Sequence, residues 1–457
     1  MHSNKKIDMT RGPIMKLVLL FALPICIGNI LQQLYNTVDT FVISNYCGDA
    51  SIAAIGTSSQ PVEMLLCIFL GLGTGVSILV SQYTGSGKTD ELKELIATAT
   101  AFLYICAIPL SVIGIFISPM FLELMKVPPE AKAFAVSYIR IIFIGTLGNM
   151  GYNFNAGILR GVGDSRSGLL FLLASCIINI VLDLLFVAVF KMDVAGAALA
   201  TIIAMYFSWI LSIIYIKKKH PYLEYSVLPR GMNKKLLRNI IAIGLPLGLN
   251  NSIYSVGHIL MQSLVNLQGT VFAASCTIAT KLTGIANVAI TSLSSAASTF
   301  AGQNLGAGNY KRLKAGGLRI PLTSGLITCT AGLIITFFRY PIIGLFTDDP
   351  ETLRLGALYI QIVLPSTWCY AVFNGIINYV NGIGEIKYST IINLLMLWAV
   401  RIPVAYFINY FIDGEYITAC FPISFSFGMI CMLAFFLSKR WKNICRLAAE
   451  QTSESYL

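Results

Sequence analysis

The sequence predicts an all-α integral membrane protein: twelve transmembrane helices in two parallel six-helix repeats around a central cavity. Three observations predict it. Charged residues make up only 12% of the chain and apolar ones 56%, with a mean hydropathy of +0.75; a soluble domain carries about 25% charge. The apolar residues fall in runs of roughly 20 or more, enough to cross about 30 Å of hydrocarbon at 1.5 Å per residue. Two distant stretches also repeat at one offset. QYTGSGK from Gln82 returns as QNLGAGN from Gln303, and YNFNAGILRGVGDSR (152–166) returns as FNGIINYVNGIGEIK (373–387). Self-similarity at a fixed offset marks two copies of one unit.

Taken in order, the predicted spans are 17–43, 53–81, 94–117, 133–158, 167–189 and 195–216, then 239–266, 272–300, 316–338, 355–380, 388–411 and 417–437. Several contain proline (Pro24, Pro61, Pro246, Pro365), which lipid tolerates where neighbouring helices re-satisfy the freed backbone groups. The polar opening MHSNKKIDMTRGP leads into a long span without a small-residue cleavage site, so no removable signal peptide is expected. This gives an N-terminal lobe (1–216), a cytoplasmic linker (217–238), a C-terminal lobe (239–437) and a cytoplasmic tail (438–457).

Lys and Arg concentrate in alternate loops, above all in 217–238, 311–319 and 439–446. By the positive-inside rule both termini are cytoplasmic, in a bacterial cytoplasmic membrane. The same loops account for the net charge of +11 without a nucleic-acid partner, since they face an anionic leaflet. Eleven Cys without CxxC pairing read as small apolar packers, and three scattered His form no metal-ligand spacing. The GLGTG at Gly71 lacks a following GK[ST], which excludes a phosphate-binding loop there. No constellation supports an enzyme, and no cofactor is expected.

Six helices per copy means that both copies start from the cytoplasmic side, so the repeats are parallel, with a substrate path between them. Both first helices carry proline in one context, ALP at Pro24 and GLP at Pro246, candidate hinges for lobes that rock between inward- and outward-open states. The repeated QxxGxG and GxGD/E loops read as tight turns requiring glycine conformations, with gating as the competing role.

Four polar residues from four helices of the first half reach one depth. Asp39 is about seven residues short of its outer helix end, Asp183 eight before Lys191, Thr201 eight past Asp193 and Tyr138 six past Lys132. At 1.5 Å per residue each lies about 10 Å below the outer surface. Asn179 and Asn36 each stand about one turn from an acid. A carboxylate inside a span is costly and marks an ion path or proton relay. The competing reading is a structural salt bridge to Arg140. Two carboxylates with amide, hydroxyl and phenol oxygens suit either a proton or Na⁺, the latter held by several oxygens. Glu63 in the second span either lines the cavity or accepts a hydrogen bond at a helix contact. Lys281 and Arg401 lie near mid-membrane in the second half, where no acid occupies the seventh or tenth span. With Asn36, Asn153, His258, Gln262 and Asn374, these three are the candidates for cavity or substrate contacts.

At FALPICIGNILQQLYNTVDTFVI (21–43), GLGTGVSILVSQYTGSGK (71–88), ILRGVGDSR (158–166), NIVLDLLF (179–186), GAALAT (196–201), AIGLPLGLN (242–250) and FAGQNLGAGN (300–309), the chain resembles the multidrug and toxic-compound extrusion (MATE) family, bacterial branch. The resemblance covers nearly the whole chain. It implies twelve helices in two lobes and export of organic cations in exchange for Na⁺ or H⁺. It also implies a cation site on Asp39, Asn179, Asp183 and Thr201, with Tyr138 a looser match. Where some relatives carry acids in the seventh and tenth helices, this sequence has His258, Gln262 and Asn374.

The expected function is therefore a secondary antiporter, acting as a monomer among membrane lipids on small amphipathic, mostly cationic substrates. The alternatives are a lipid-linked oligosaccharide flippase of a related branch and, from another class, an ion channel.

Overall fold

The computed structural model describes residues 6–124, 129–229, 231–439 and 441–443, with side chains at 49–50, 52–53, 56–65, 121, 124 and 129–130 excepted. Among these residues every regular element is helical. The first half contains α1 (Ile14–Tyr46), α2 (Asp49–Ser86), α3 (Thr89–Leu124), α4 (Pro129–Ile144), α5 (Thr146–Gly161), α6 (Arg166–Asp183) and α7 (Asp193–Lys219). The second contains α8 (Lys234–Leu267), α9 (Thr270–Gly306), α10 (Tyr310–Phe337), the short α11 (Arg339–Ile343), α12 (Pro350–Val363), α13 (Thr367–Gly382), α14 (Ile386–Leu394), α15 (Ile402–Phe411) and α16 (Cys420–Leu437). Eleven helices or continuous helical stretches are long and apolar enough to cross a membrane, and twelve when α4 and α5 are counted as one bent span. The chain is a multi-pass, all-α membrane protein.

Several spans are not the straight rods drawn from hydropathy. The fourth bends by 43° between α4 and α5 at Gly145. A Cβ there would lie 2.4 Å from Ile202 Cγ2, so the missing side chain lets α7 approach the bend. In the tenth, a 3₁₀ turn at Leu364–Ser366 separates α12 from α13 around Pro365, which cannot donate a helical hydrogen bond. α6 continues as a π-helical segment, Leu184–Val189, and a second one, Leu395–Arg401, joins α14 to α15.

The chain divides into two compact units, Met1–Ile7 with Ile27–Leu249, and Asp8–Cys26 with Asn250–Leu457. α1 passes from one unit to the other two residues after Pro24, and α8 three residues after Pro246.

In the first unit, a core of Val76, Leu95, Phe102, Phe154, Leu159 and Ile216 binds α2, α3, α5 and α7. α2 and the opening of α8 meet through glycines. Gly71 and Gly75 on one helix face Gly244 and Gly248 on the other, and a Cβ on Gly71 would lie 2.1 Å from the Gly248 backbone nitrogen. The GLGTG excluded as a phosphate loop is thus half of a small-residue helix crossing, the device by which backbones pack closely where lipid supplies no hydrophobic drive.

The repeated loops are left-handed turns. Gly87 and its counterpart Gly308 have φ of 70° and 65°, and Gly163 and Gly384 have 94° and 90°, conformations that cost other residues a clash at Cβ. In the second unit the QNLGAGN loop also cradles the segment leading into α1. Gln303 Oε1 accepts from Met9 N (3.0 Å), and Asn304 Nδ2 and Arg312 Nε donate to Met9 O (3.1 and 3.0 Å). Met9 is fully buried. Gln303 and Asn304 therefore anchor a peptide in addition to shaping a turn.

Asp164, in the other repeated loop, ties α5 and α6 to the end of α7. Its Oδ2 accepts from Ser167 Oγ (2.7 Å) and Tyr215 Oη (3.1 Å) and lies 3.3 Å from His220 Nε2; its Oδ1 accepts from Ser167 N (3.1 Å). Burial alone would raise its pKa, but the bonds from His220, Ser167 and Tyr215 hold it below the ordinary carboxylate value. A depressed folded-state pKa stabilises above the unfolded value, and that stability is lost as pH falls through the folded one. Asp164→Asn is accordingly expected to lower stability at neutral pH by about 2 kcal/mol. Thermal unfolding of the detergent-solubilised protein should show the wild-type advantage shrinking as pH falls below the carboxylate range; a difference independent of pH would refute the ionised contact.

Candidate functional site

Within the first unit the five residues predicted for ion coupling come together. Asp183, at the last turn of α6, is 0% exposed, and Asn179, one turn earlier, is 1% exposed. Asp39 of α1 and Asp183 are neighbours, and Tyr138 of α4 stands beside Asp39. Thr201, in the third turn of α7, lies 3.4 Å by its Oγ1 from Tyr35 Oη. Asp39 Oδ1, both Asp183 carboxylate oxygens and both polar atoms of Asn179 are buried without a hydrogen-bond partner among the described residues. Burying polar groups unpaired is costly. Sites that keep them poised for a ligand accept that cost.

Arg140 is not their counter-charge. Its side chain is exposed and its Nε donates to Ile115 O (3.2 Å); no ion pair to either acid occurs among the described residues. The salt-bridge reading is overturned because the right depth was paired with the wrong helix face. Tyr35 was missed. It stands one turn before Asp39 and belongs to the cluster through both acids and Thr201.

Tyr35, Asn179 and Thr201 also line a cavity of about 400 Å³ whose wall includes Asn29, Gln32, Asn149 and Asn153. Asn153 is thus on a cavity wall as expected, its Nδ2 donating to Asn149 O and Oδ1 (2.9 and 2.8 Å). Asn36 is exposed and is not among the residues lining this wall. Glu63 is on α2, and its side chain lies outside the described residues.

The second unit has its own cavity, about 380 Å³, walled by His258 and Gln262 of α8, Lys281 of α9, and Arg401. Among the described residues no Asp or Glu is on this wall. His258 lies 5.2 Å, ring to ring, from Tyr254, and Gln262 Nε2 donates to Asn266 Oδ1 (3.0 Å). Asn374, half-buried, is off the wall and accepts from Asn378 Nδ2. Pro24 and Pro246 stand inside α1 and α8, next to the points where those helices change unit.

One family model, MatE, matches the chain twice, over residues 24–185 and 246–407, starting in each half at the proline of the first span. The chain belongs to the MatE family. The double match to MatE is the sequence repeat seen from outside, and it makes the chain a membrane transporter. Among curated proteins, it is 30% identical over 444 residues to "Probable multidrug resistance protein YpnP" of Bacillus subtilis, covering 96% of this chain and 98% of the relative. "Probable multidrug resistance protein NorM" of Thermotoga maritima is 25% identical and covered to 96% on both sides. Among solved structures, an "Outward-facing conformation of a multidrug resistance MATE family transporter of the MOP superfamily" superposes with a TM-score of 0.87 at 22% identity. It covers 98% of this MatE chain and 100% of the other, and carries the likeness of fold.

Proposed function

We propose that this MatE protein is a secondary antiporter that exports amphipathic, mostly cationic compounds in exchange for H⁺ or Na⁺. The observation that carries the reading is the Asp183 carboxylate, fully buried with neither oxygen hydrogen-bonded among the described residues and a second acid, Asp39, beside it. A buried carboxylate pair is destabilised by desolvation and mutual repulsion, and a bound cation relieves both. The same donors serve a proton on one carboxyl, or Na⁺ held by carboxylate, amide and hydroxyl oxygens of Asp39, Asn179, Asp183 and Thr201, the hard oxygen ligands such a cation prefers. Two similar proteins named as multidrug resistance proteins support drug-like cargo.

In the proposed cycle, an ion from the outer compartment binds at Asp39 and Asp183, with Tyr35 and Tyr138 screening the site. Neutralisation lets α1 repack about Pro24, with Pro246 as the matching hinge of α8. The lobes, 1–216 and 239–437, rock and release cargo outward. The protein works as a monomer in the bacterial cytoplasmic membrane with both termini cytoplasmic, consistent with the basic loops. Everted vesicles test the reading. Loading their lumen with acid or with Na⁺ should drive uptake of a cationic dye, and collapsing that gradient should stop it. Uptake indifferent to both gradients would overturn the antiporter and favour the flippase.

A further inference from the structure

We propose that the second-half cavity is an anion subsite, which takes the carboxylate or phosphate end of an amphipathic cargo through Arg401 and Lys281. Arg401 is 1% exposed. Its Nε donates to Ser424 Oγ (3.0 Å) and its Nη1 to Tyr254 Oη (2.9 Å). The guanidinium lies 5.0 and 5.1 Å from the ring centres of Phe421 and Phe425. Its third nitrogen, Nη2, is buried with no partner among the described residues. An arginine cannot shed its charge in a protein, so a buried guanidinium needs compensation from outside itself. Rings and hydroxyls hold it in place but bring no negative charge, and no carboxylate is on the wall among the described residues. The unpartnered N–H edge suits an anion, which such groups bind by charge-assisted hydrogen bonds.

Two further observations agree. Lys281, on the same wall, has no ion pair among the described residues and adds a second cation to a cavity without an acid. Each half also interrupts one span with a π-helical segment at its charged residue: Leu184–Val189 follows Asp183, and Leu395–Arg401 ends on Arg401. Such segments gather at functional sites. The halves therefore present opposite charges in corresponding spans, acid in the first and base in the second. A cargo with an anionic end and an aromatic or aliphatic body meets both the guanidinium and the rings that clamp it.

This inference rests on the export reading for its cargo, and its test is separable from that reading because it measures binding without a gradient. The probe pair is one fluorescent xanthene dye as free acid and as methyl ester, titrated by anisotropy against the purified full chain in lipid-free detergent. The expected result is a preference for the acid that falls about tenfold in Arg401→Lys and several-fold in Lys281→Gln. The acid-to-ester ratio is the readout, because a misfolded variant loses both ligands together; Lys281 is exposed, so its variant keeps the test valid if Arg401→Lys does not fold. A second arm asks whether a lipid headgroup supplies the anion. Phosphatidylglycerol, unlike phosphatidylcholine, would then displace the acid dye and would be retained less by Arg401→Lys. An acid-to-ester ratio and a phosphatidylglycerol retention both unchanged by the two substitutions would overturn the subsite. Gradient-driven uptake of a cationic dye can fail or succeed independently of either result.

Discussion

Asp183→Asn is expected to stop ion-coupled export while making the folded protein more stable. Asp183 is fully buried, and neither of its oxygens has a hydrogen-bond partner among the described residues. Asparagine has nearly the same shape and no charge, so it removes the desolvation cost of a buried carboxylate and its repulsion with Asp39. A gain of about 1–3 kcal/mol follows from relieving such an unsatisfied group, read as a higher thermal midpoint in detergent. Transport moves the opposite way. Without the carboxyl the site has no group to take and release a proton at that position and one fewer anionic ligand for Na⁺, and gradient-driven efflux should drop at least about a hundredfold, on the scale of losing a few kcal/mol of ion binding. Asp39→Asn should act in the same direction on transport, with a smaller gain in stability because Asp39 is only partly buried. Normal gradient-driven efflux in the double variant would remove these acids from the mechanism.

Much of this site is legible in the sequence, because helix rise alone sets depth. Counting residues from the ends of four spans puts Asp39, Asp183, Thr201 and Tyr138 at one level, and the structure brings them close together in the first unit. Helix rotation is the part that counting leaves open. Tyr35 and Asn36 are adjacent, and each is about one turn from Asp39, so spacing serves either; packing of α1 turns Tyr35 toward Thr201 and leaves Asn36 exposed. Arg140 fails as a counter-charge for the same reason, since depth is a property of one chain and facing is a property of two. The bend at Gly145 was equally hidden. The missing side chain there makes room for Ile202, from a helix some 57 residues along the sequence.

The repeat was legible as symmetry, and its departures from symmetry carry the chemistry. Corresponding spans keep a π-helical interruption, yet one half bears Asp183 and the other Arg401. The repeated turns were rightly read as glycine turns, as the left-handed Gly87, Gly163, Gly308 and Gly384 show. Their side chains have a second use that no spacing rule announces. Gln303 and Asn304 bind the backbone of Met9, nearly 300 residues away.

Gly248→Leu is expected to be strongly destabilising, although it lies outside the ion site. A Cβ at Gly248 would lie 2.5 Å from Ile68 O and 2.7 Å from Ile68 Cα, and one at Gly71 would lie 2.1 Å from Gly248 N. These neighbours are backbone, which cannot rotate away as a side chain would. Accommodation requires α2 and the first part of α8 to separate along the whole glycine seam, since one turn on a Cβ at Gly75 would lie only 2.8 Å from Gly244 Cα. Overpacking a core typically costs 1–3 kcal/mol, and a backbone collision belongs at or above about 3 kcal/mol. Against a total stability of about 5–15 kcal/mol, that is enough to deplete the folded protein in the membrane. Gly168→Ala is the contrast: it is also a helix glycine of the first unit, but nothing lies within 4 Å of the added carbon. Size-exclusion of a fluorescent fusion should show Gly248→Leu aggregated or absent and Gly168→Ala indistinguishable from the parent. A monodisperse Gly248→Leu with an unshifted thermal midpoint would mean that the seam can open, and that the close crossing of α2 and α8 is not what holds these helices together.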